Sequence, residues 1–160
     1  MTSSNSIHKV LNSSIEAIRA VIPISLKVDK PSLLQHPIFQ HRFGVLIGIT
    51  GDVRGKVIVE SQHDTLKGIG TAMFGIPVEG EMLESFAGEL GNMIAGNLST
   101  NIANKGLTTD ITPPTVIVGQ SKLYGFEQAI LLPIHIVSLG ELQIIFMLEQ
   151  PQKKRENSFQ

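Results

Sequence analysis

The chain has 160 residues, enough for one domain that buries a complete hydrophobic core. Its 13 basic and 14 acidic side chains give a formal net charge of −1, which argues against a nucleic-acid-binding protein because such proteins present a strongly basic face. It contains no cysteine, no signal-peptide pattern and no apolar run near the ~20 residues that cross a bilayer. We therefore expect a cytoplasmic protein without disulfides, thiol chemistry or membrane insertion.

The amino-terminal part of the chain predicts a helix, a short strand, a loop and a pair of strands, from the spacing of its apolar side chains. The bounds of these elements are Ile7–Val21, Ile24–Val28, Ser32–Gln40, Arg42–Thr50 and Arg54–Glu60. The last two strands meet at Gly51 and Asp52, a pair that suits a type II′ hairpin turn because glycine readily takes a positive φ.

The remainder predicts two helices and three strands, with Gly75 and Gly106 as the caps that end the helices. The bounds are Ser61–Phe74, Val78–Asn104, Thr115–Gly119, Gly125–Val137 and Glu141–Leu148. Helices and hairpin-linked strands interleave without a strict βαβ alternation. This order predicts a single α/β domain of the two-layer α+β kind over residues 1–150, with a mostly antiparallel sheet. A polar, flexible tail is expected over 151–160.

The helix that ends at Asn104 carries the most informative pattern. At about 100° per residue, Glu89 and Asn92 lie close together on one stripe, which Ser85, Gly96 and Thr100 continue. The apolar stripe points elsewhere, toward a core, and consists of Leu83, Phe86, Leu90, Met93 and Ile94. Three glycines in one helix each cost roughly 1 kcal/mol relative to alanine. Their presence suggests that a neighbouring group must come close to the helix backbone. The three glycines are Gly88, Gly91 and Gly96.

Other polar and apolar signals favour structural roles. Asn97 and Asn101 fall within the apolar stripe, so we predict that they anchor neighbouring backbone groups. Met82 is assigned to core packing together with Phe86 and Met93. The five histidines are scattered without zinc-binding spacing, and we predict no metal site. A Glu-x-x-Asn spacing alone also fits an ordinary solvated helix face.

The pattern in its context resembles the signature of the CheC/CheX family of chemotaxis phosphatases, which act on CheY-type response regulators. The family motif has a Ser or Asp, a Glu four residues on, an Asn three beyond that and a later proline. Here these are Ser85, Glu89, Asn92 and the pair Pro113-Pro114. The resemblance also takes in Gly51–Val57, the segment from Lys105 through Pro114 and the amino-terminal helix, so it spans most of the chain and is closest to CheX.

The resemblance implies a CheC-like fold with two similar halves, and a phosphatase that hydrolyses the aspartyl phosphate of a CheY-type regulator. Asn92 would orient the attacking water, and Glu89 would pair with the regulator's active-site lysine. Ser85 and the glycines Gly88, Gly91 and Gly96 would support docking. No cofactor of its own is implied, since the regulator would supply magnesium. The alternative is a non-catalytic module that binds a receiver domain or the flagellar switch.

Two further expectations concern the assembly and the number of sites. Members of this kind are homodimers joined through their sheets, and the segment Gly125–Leu148 is expected to offer an unpaired strand edge. The first helix repeats the motif spacing with Asn12, Glu16 and Arg19. A guanidinium cannot accept a hydrogen bond from water, so we predict that this first helix is inactive.

Overall fold

The computed structural model of the chain describes residues 4–34, 38–122 and 129–149. These ranges contain three helices, which are α1 (Ser4–Val21), α2 (His63–Phe74) and α3 (Glu81–Asn104). They also contain eight strands, which are β1 (Leu26–Val28), β2 (Ser32–Leu34), β3 (Ile38–Gly51), β4 (Gly55–Ser61), β5 (Thr109–Ile111), β6 (Thr115–Lys122), β7 (Ala129–Ile136) and β8 (Gly140–Leu148). The predicted tail over 151–160 lies outside the described residues.

The strands form one sheet in which every described pair is antiparallel. The strand order is β1-β7-β8-β4-β3-β5, with β2 pairing β7 beside β1 and β6 pairing β3 beside β5. The centre of the sheet is the pairing of β4 with β8, where Val57 lies opposite Phe146. The predicted antiparallel, two-layer architecture is confirmed.

The fold has two similar halves, as predicted. Each half consists of a long helix, two strands and a hairpin, in the order α1-β1-β2-β3-β4 and α3-β5-β6-β7-β8. The first two strands of each half pair with the hairpin of the other, since β1 and β2 lie beside β7 while β5 and β6 lie beside β3. The strands of the two halves are therefore interleaved in one sheet.

The main hydrophobic core lies between the helices and one face of the sheet. Along β4 the side chains alternate, so Val57 and Val59 join the main core while Ile58 joins a smaller cluster on the opposite face. Helix α3 contributes much of the core and packs against α1 as well as the sheet. This arrangement leaves the outward side of α3 available to solvent.

The structure differs from the sequence-based expectations at three places in the sheet. The segment Ser32–Gln40, predicted as a loop, contains strand β2 and the start of β3. Strand β5 was not predicted, because three residues carry no periodicity and are held by pairing with β3. The segment Gly125–Leu148 was expected to offer a free edge, but its described strands β7 and β8 are each paired on both sides.

The predicted type II′ turn at Gly51 and Asp52 is also wrong. Strand β3 extends through Gly51, and the chain re-enters the sheet only at Gly55. Asp52 turns toward the segment that follows α3, where its backbone N–H donates to the Thr108 carbonyl at 2.9 Å. Its carboxylate Oδ2 accepts from the Thr108 N–H at 2.8 Å. This long-range pair replaces the local hairpin bonds and ties the two segments together.

Candidate functional site on helix α3

Helix α3 is well defined at both ends. Its first turn carries Glu81 and Glu84, and negative charge is favourable there because it opposes the helix macrodipole. At the other end Gly106 has φ +90°, and two bonds to the last turn satisfy free carbonyls: Gly106 N–H to Ala103 at 3.0 Å and Leu107 N–H to Ile102 at 3.3 Å. These are the bonds of a Schellman cap, so the predicted stop at Gly106 is confirmed.

The two faces of α3 differ as the sequence pattern predicted. The buried face holds Leu83, Phe86, Leu90 and Ile94, together with Ala87, Gly91, Ala95, Leu98 and Ile102. The exposed face holds Ser85, Glu89, Asn92, Gly96 and Thr100. Because the buried face is packed on the core, the exposed polar groups are carried by a rigid element.

Glu89 and Asn92 are neighbours on the exposed face. Three residues of helix separate them by about 4.5 Å along the axis and place their Cβ atoms about 5–6 Å apart. Both side chains are exposed. Within the described parts of the chain, neither makes a side-chain hydrogen bond or an ion pair. A carboxylate and a carboxamide are therefore presented side by side, and a binding partner can engage both.

The three glycines of α3 have different surroundings. A Cβ at Gly96 would meet no atom within 4 Å, and one at Gly88 would make an ordinary 3.6 Å contact with Val116 Cγ2. A Cβ at Gly91 would overlap Val45 Cγ1 and lie 3.3 Å from Pro114 Cβ. Gly91 therefore serves the packing of α3 on the protein's own sheet, which differs from the docking role expected for it.

Asn97 and Asn101 anchor the helix, as predicted. The Asn97 side-chain amide donates to the Met93 carbonyl at 3.0 Å, one turn earlier. The Asn101 amide donates to the Ser13 carbonyl at 3.2 Å and so links α3 to α1. Both carboxamides are half-buried, and their hydrogen bonds account for their place within the apolar stripe.

A groove of about 420 Å³, lined by both polar and apolar residues, lies beside Asn92, between α3 and the segment 109–114. The groove brings the Pro113-Pro114 pair of the sequence motif next to the asparagine. Thr109, Asp110 and Thr112 also line it; they belong to the segment that the resemblance covers, but no site role was predicted for them. Their signal was weak, since β5 is too short to be recognised from its periodicity.

The proline segment of this groove is held by a reciprocal pair of hydrogen bonds. The Thr112 N–H donates to the Gly48 carbonyl at 2.9 Å, and the Gly48 N–H donates to Thr112 Oγ1 at 2.8 Å. A Cβ at Gly48 would come within 3.0 Å of the threonine side chain, so glycine permits this close approach. Strand β3 thereby fixes the position of Pro113 and Pro114 relative to Asn92.

A second, largely apolar groove of about 390 Å³ lies beside Glu89. It is lined by Phe74, Val78, Glu81, Met82, Ser85, Phe86 and Glu89. Phe86 belongs to the core and Met93 packs against it, as predicted. The assignment of Met82 to the core is wrong, because its side chain is exposed. The catalytic candidates thus lie between a groove of mixed lining beside Asn92 and a largely apolar groove beside Glu89.

In helix α1, the counterpart of α3 in the first half, the motif glutamate forms an ion pair within the chain. Glu16, which corresponds to Glu89 in the repeated spacing, forms an ion pair with Lys105 of the same chain, with Nζ and Oε1 2.8 Å apart. Asn12 and Arg19 are exposed beside it. The carboxylate of the first helix therefore already has a lysine partner.

The loop before α3 is linked to α2 by an ion pair that shifts the pKa of both partners. Lys67 Nζ donates to Glu79 Oε1 at 2.8 Å. This hydrogen bond, followed by the lysine charge, lowers the pKa of Glu79 below its ordinary value. The same hydrogen bond raises the pKa of Lys67. The pair connects α2 to the segment that leads into α3.

Among the residues that the structure describes, no group of three or more His, Cys, Asp or Glu side chains could hold a metal ion. None of the helices in the described ranges combines the length and the apolar character needed to cross a membrane.

Comparisons with known proteins identify the family. A family model described as chemotaxis phosphatase CheX matches residues 43–134. The CheY-P phosphatase CheX of Thermotoga maritima is 36% identical over 137 residues, which cover 82% of this chain and 88% of that protein.

Two solved structures share the fold. One chain of the CheX-CheY-BeF3-Mg complex from Borrelia burgdorferi gives a TM-score of 0.74 at 23% identity, covering 90% of this chain and 97% of its own. A CheC-like superfamily protein from Shewanella sp. PV-4 gives a TM-score of 0.75 at 23% identity, covering 92% and 99%. The chain belongs to the CheX family of chemotaxis phosphatases.

Proposed function

We propose that this protein hydrolyses the aspartyl phosphate of a CheY-type response regulator, with Asn92 and Glu89 as its catalytic residues. The observation that carries the proposal is the exposed Glu89-x-x-Asn92 pair on a rigid helix. Two comparisons support it: the 36% identity to a CheY-P phosphatase, and the likeness in fold to a chain from a CheX-CheY complex.

Asn92 orients the water that attacks the phosphorus. Its carboxamide oxygen accepts a hydrogen bond from the water, while its amide group donates to a phosphoryl oxygen or to the partner. Asn92 is exposed and has no competing side-chain partner within the described residues. Since phosphoryl transfer demands little covalent chemistry from the protein, positioning of this kind accounts for the acceleration.

Glu89 anchors the complex. A carboxylate one turn from Asn92 on the same helix face fixes the asparagine relative to a partner lysine through a charge-assisted hydrogen bond. Ser85 precedes Glu89 by one turn and supports docking from the same stripe. Gly96 is exposed and an added Cβ there would meet no atom within 4 Å, so the partner can approach the helix backbone at this position. Gly88, which is half-buried beside Val116, supports docking from the same helix.

The reaction is a hydrolysis in which water is the only co-reactant. The water oxygen bonds to phosphorus as the bond from phosphorus to the aspartyl oxygen breaks. The electron pair of that bond returns to the aspartate carboxylate, and the water proton leaves with inorganic phosphate. Magnesium held by the regulator would neutralise charge on the phosphoryl oxygens, and we propose that the phosphatase contributes no cofactor of its own.

We further propose a cytoplasmic location, where a CheY-type regulator acts, and a homodimer. The strands that could extend the sheet in a second copy are β1, β2, β5 and β6, since each pairs with one neighbour among the described strands. Light scattering at micromolar concentration should give twice the monomer mass. A monomer mass would contradict the dimer without affecting the proposed chemistry.

The proposal is tested by phosphate release. CheY-type receiver domains from the same organism are phosphorylated with acetyl phosphate, freed of the donor, and followed with and without the protein. Faster phosphate release from one of them is expected. Binding without acceleration would favour the alternative, a non-catalytic receiver-domain or flagellar-switch module, and the absence of both would refute the proposal.

A further inference from the structure

Two residues that line the apolar groove beside Glu89 are large apolar side chains with more than half of their surface exposed: Phe74 at 55% and Met82 at 53%. Ile76, which is 53% exposed, lies in the loop between them. These three residues lie at the end of α2, in the following loop and in the first turn of α3. Large apolar side chains clustered in this way mark an interaction surface more often than isolated ones do.

The groove is preformed, because its lining residues are held in place by contacts with the hydrophobic core. The Phe74 ring packs edge-on against the buried Phe86 ring, with centroids 5.5 Å apart and an interplanar angle of 78°. Val78 anchors the loop in the core, and Gly70 leaves the space that Val78 and Phe86 fill. The groove therefore needs little reorganisation to receive a partner, which lowers the entropic cost of binding.

The groove also has a one-sided charge. Its ionisable lining residues are Glu81 and Glu89, and Glu84 is also exposed in the first turn of α3. Among the residues that the structure describes, no lysine or arginine lines it. A complementary partner presents an apolar side chain at the centre with basic groups around it, since opposite potentials favour encounter and correct register.

We propose that this groove is the specificity-determining dock for the phosphorylated receiver domain, and that it receives an apolar side chain of that domain beside the lysine paired with Glu89. This inference rests on the proposed function, because Glu89 is both a wall of the groove and the proposed anchor. A receiver bound at Glu89 and Asn92 covers the groove, which begins at Glu89 and extends toward the amino terminus of α3.

The size of the groove favours a transient partner over a second copy of the chain. A stable dimer needs about 800 Å² buried on each partner. Seven residues, two of which belong to the buried core, line the groove, and a surface of this size falls well short. An acidic surface paired with its own copy would also place like charges together.

The test compares Met82→Glu and Phe74→Ala with Val137→Ala, a control at an exposed apolar residue in the turn after strand β7. Glutamate in the first turn of α3 is compatible with the helix macrodipole, so Met82→Glu should fold normally. Affinity for a CheY-type receiver trapped with BeF3 and magnesium, and phosphate release at saturating receiver, are measured for each. Each groove variant should lose about fivefold or more in affinity, as expected for unburying half a large apolar side chain. Turnover at saturation should remain within about twofold of the parent.

The outcomes separate the groove from the proposed function. Unchanged affinity in both variants, with the parent still accelerating phosphate release, would refute the groove as the dock and leave the phosphatase standing. A parent that accelerates no receiver would refute the proposed function itself. If Met82→Glu altered the mass of the protein alone in light scattering, the groove would be a contact between copies, and the inference would be wrong.

Discussion

Gly96→Ala should stabilise the protein while weakening its action on the regulator. Gly96 lies in the middle of the 24-residue helix α3, and an added Cβ would meet no atom within 4 Å. Alanine in place of an exposed helical glycine gains about 1 kcal/mol, which for a chain of this length raises the melting temperature by roughly 2–4 °C. No packing within the described structure requires this glycine, so we attribute it to the approach of the partner.

The assay measures thermal unfolding by circular dichroism and phosphate release from the same preparation. A higher melting temperature with reduced turnover or affinity is expected, because the methyl group stands between α3 and the regulator. A gain in stability with full activity at low receiver concentration would refute the docking role of Gly96. An unchanged or lower melting temperature would contradict the expected gain in helix stability from alanine at this exposed position.

Gly91→Ala provides the matched control in the same helix. Its Cβ would overlap Val45 on the sheet, and overpacking of this kind costs about 1–3 kcal/mol, which exceeds the gain in helix propensity of about 1 kcal/mol. The melting temperature should therefore fall. In a Val45→Ala background the loss should shrink, because the side chain that clashes has been removed.

The remaining predictions concern charge and the number of sites. Glu89→Lys should weaken binding and turnover together, since it opposes two cations; unaltered affinity at low salt would place the anchor elsewhere. Arg19→Ala should leave phosphate release nearly unchanged while Asn92→Ala abolishes the acceleration, and equal losses in two folded variants would contradict a single site. Because the pKa of Glu79 is lowered by its hydrogen bond and by the charge of Lys67, its contribution to stability is present above its unfolded pKa and is lost as pH falls through the folded one. Lys67→Met should therefore lower the melting temperature slightly near neutral pH, and the difference should vanish in acid.

Helix α3 and its two faces could be predicted from the sequence because their causes are local. The apolar spacing defines the buried stripe, and Gly106 ends the helix through bonds to its own last turn. The caps and the polar stripe with Glu89 and Asn92 follow from neighbours within a few residues. The chemical role assigned to that stripe came from the family resemblance, and it remains a prediction.

The features that were missed depend on distant parts of the chain. Strand β5 is held in the sheet by pairing with β3. Asp52 turns toward Thr108 because it forms two hydrogen bonds with that residue. Gly91 faces Val45 across the interface of helix and sheet, which periodicity alone does not reveal. Met82 is a different case: it precedes Ser85 by three residues and Glu89 by seven, so it lies on the exposed stripe and its exposure follows from local helix periodicity.

The central claim is that Asn92 orients the water and contributes little to docking, and Asn92→Ala measured at saturating phosphorylated receiver tests it most directly. We predict affinity for the BeF3-trapped receiver within about twofold of the parent and a loss of about 100-fold in the accelerated hydrolysis rate, as is typical when one well-placed polar group is removed from a transition state. Parental turnover by a folded Asn92→Ala variant would contradict the account.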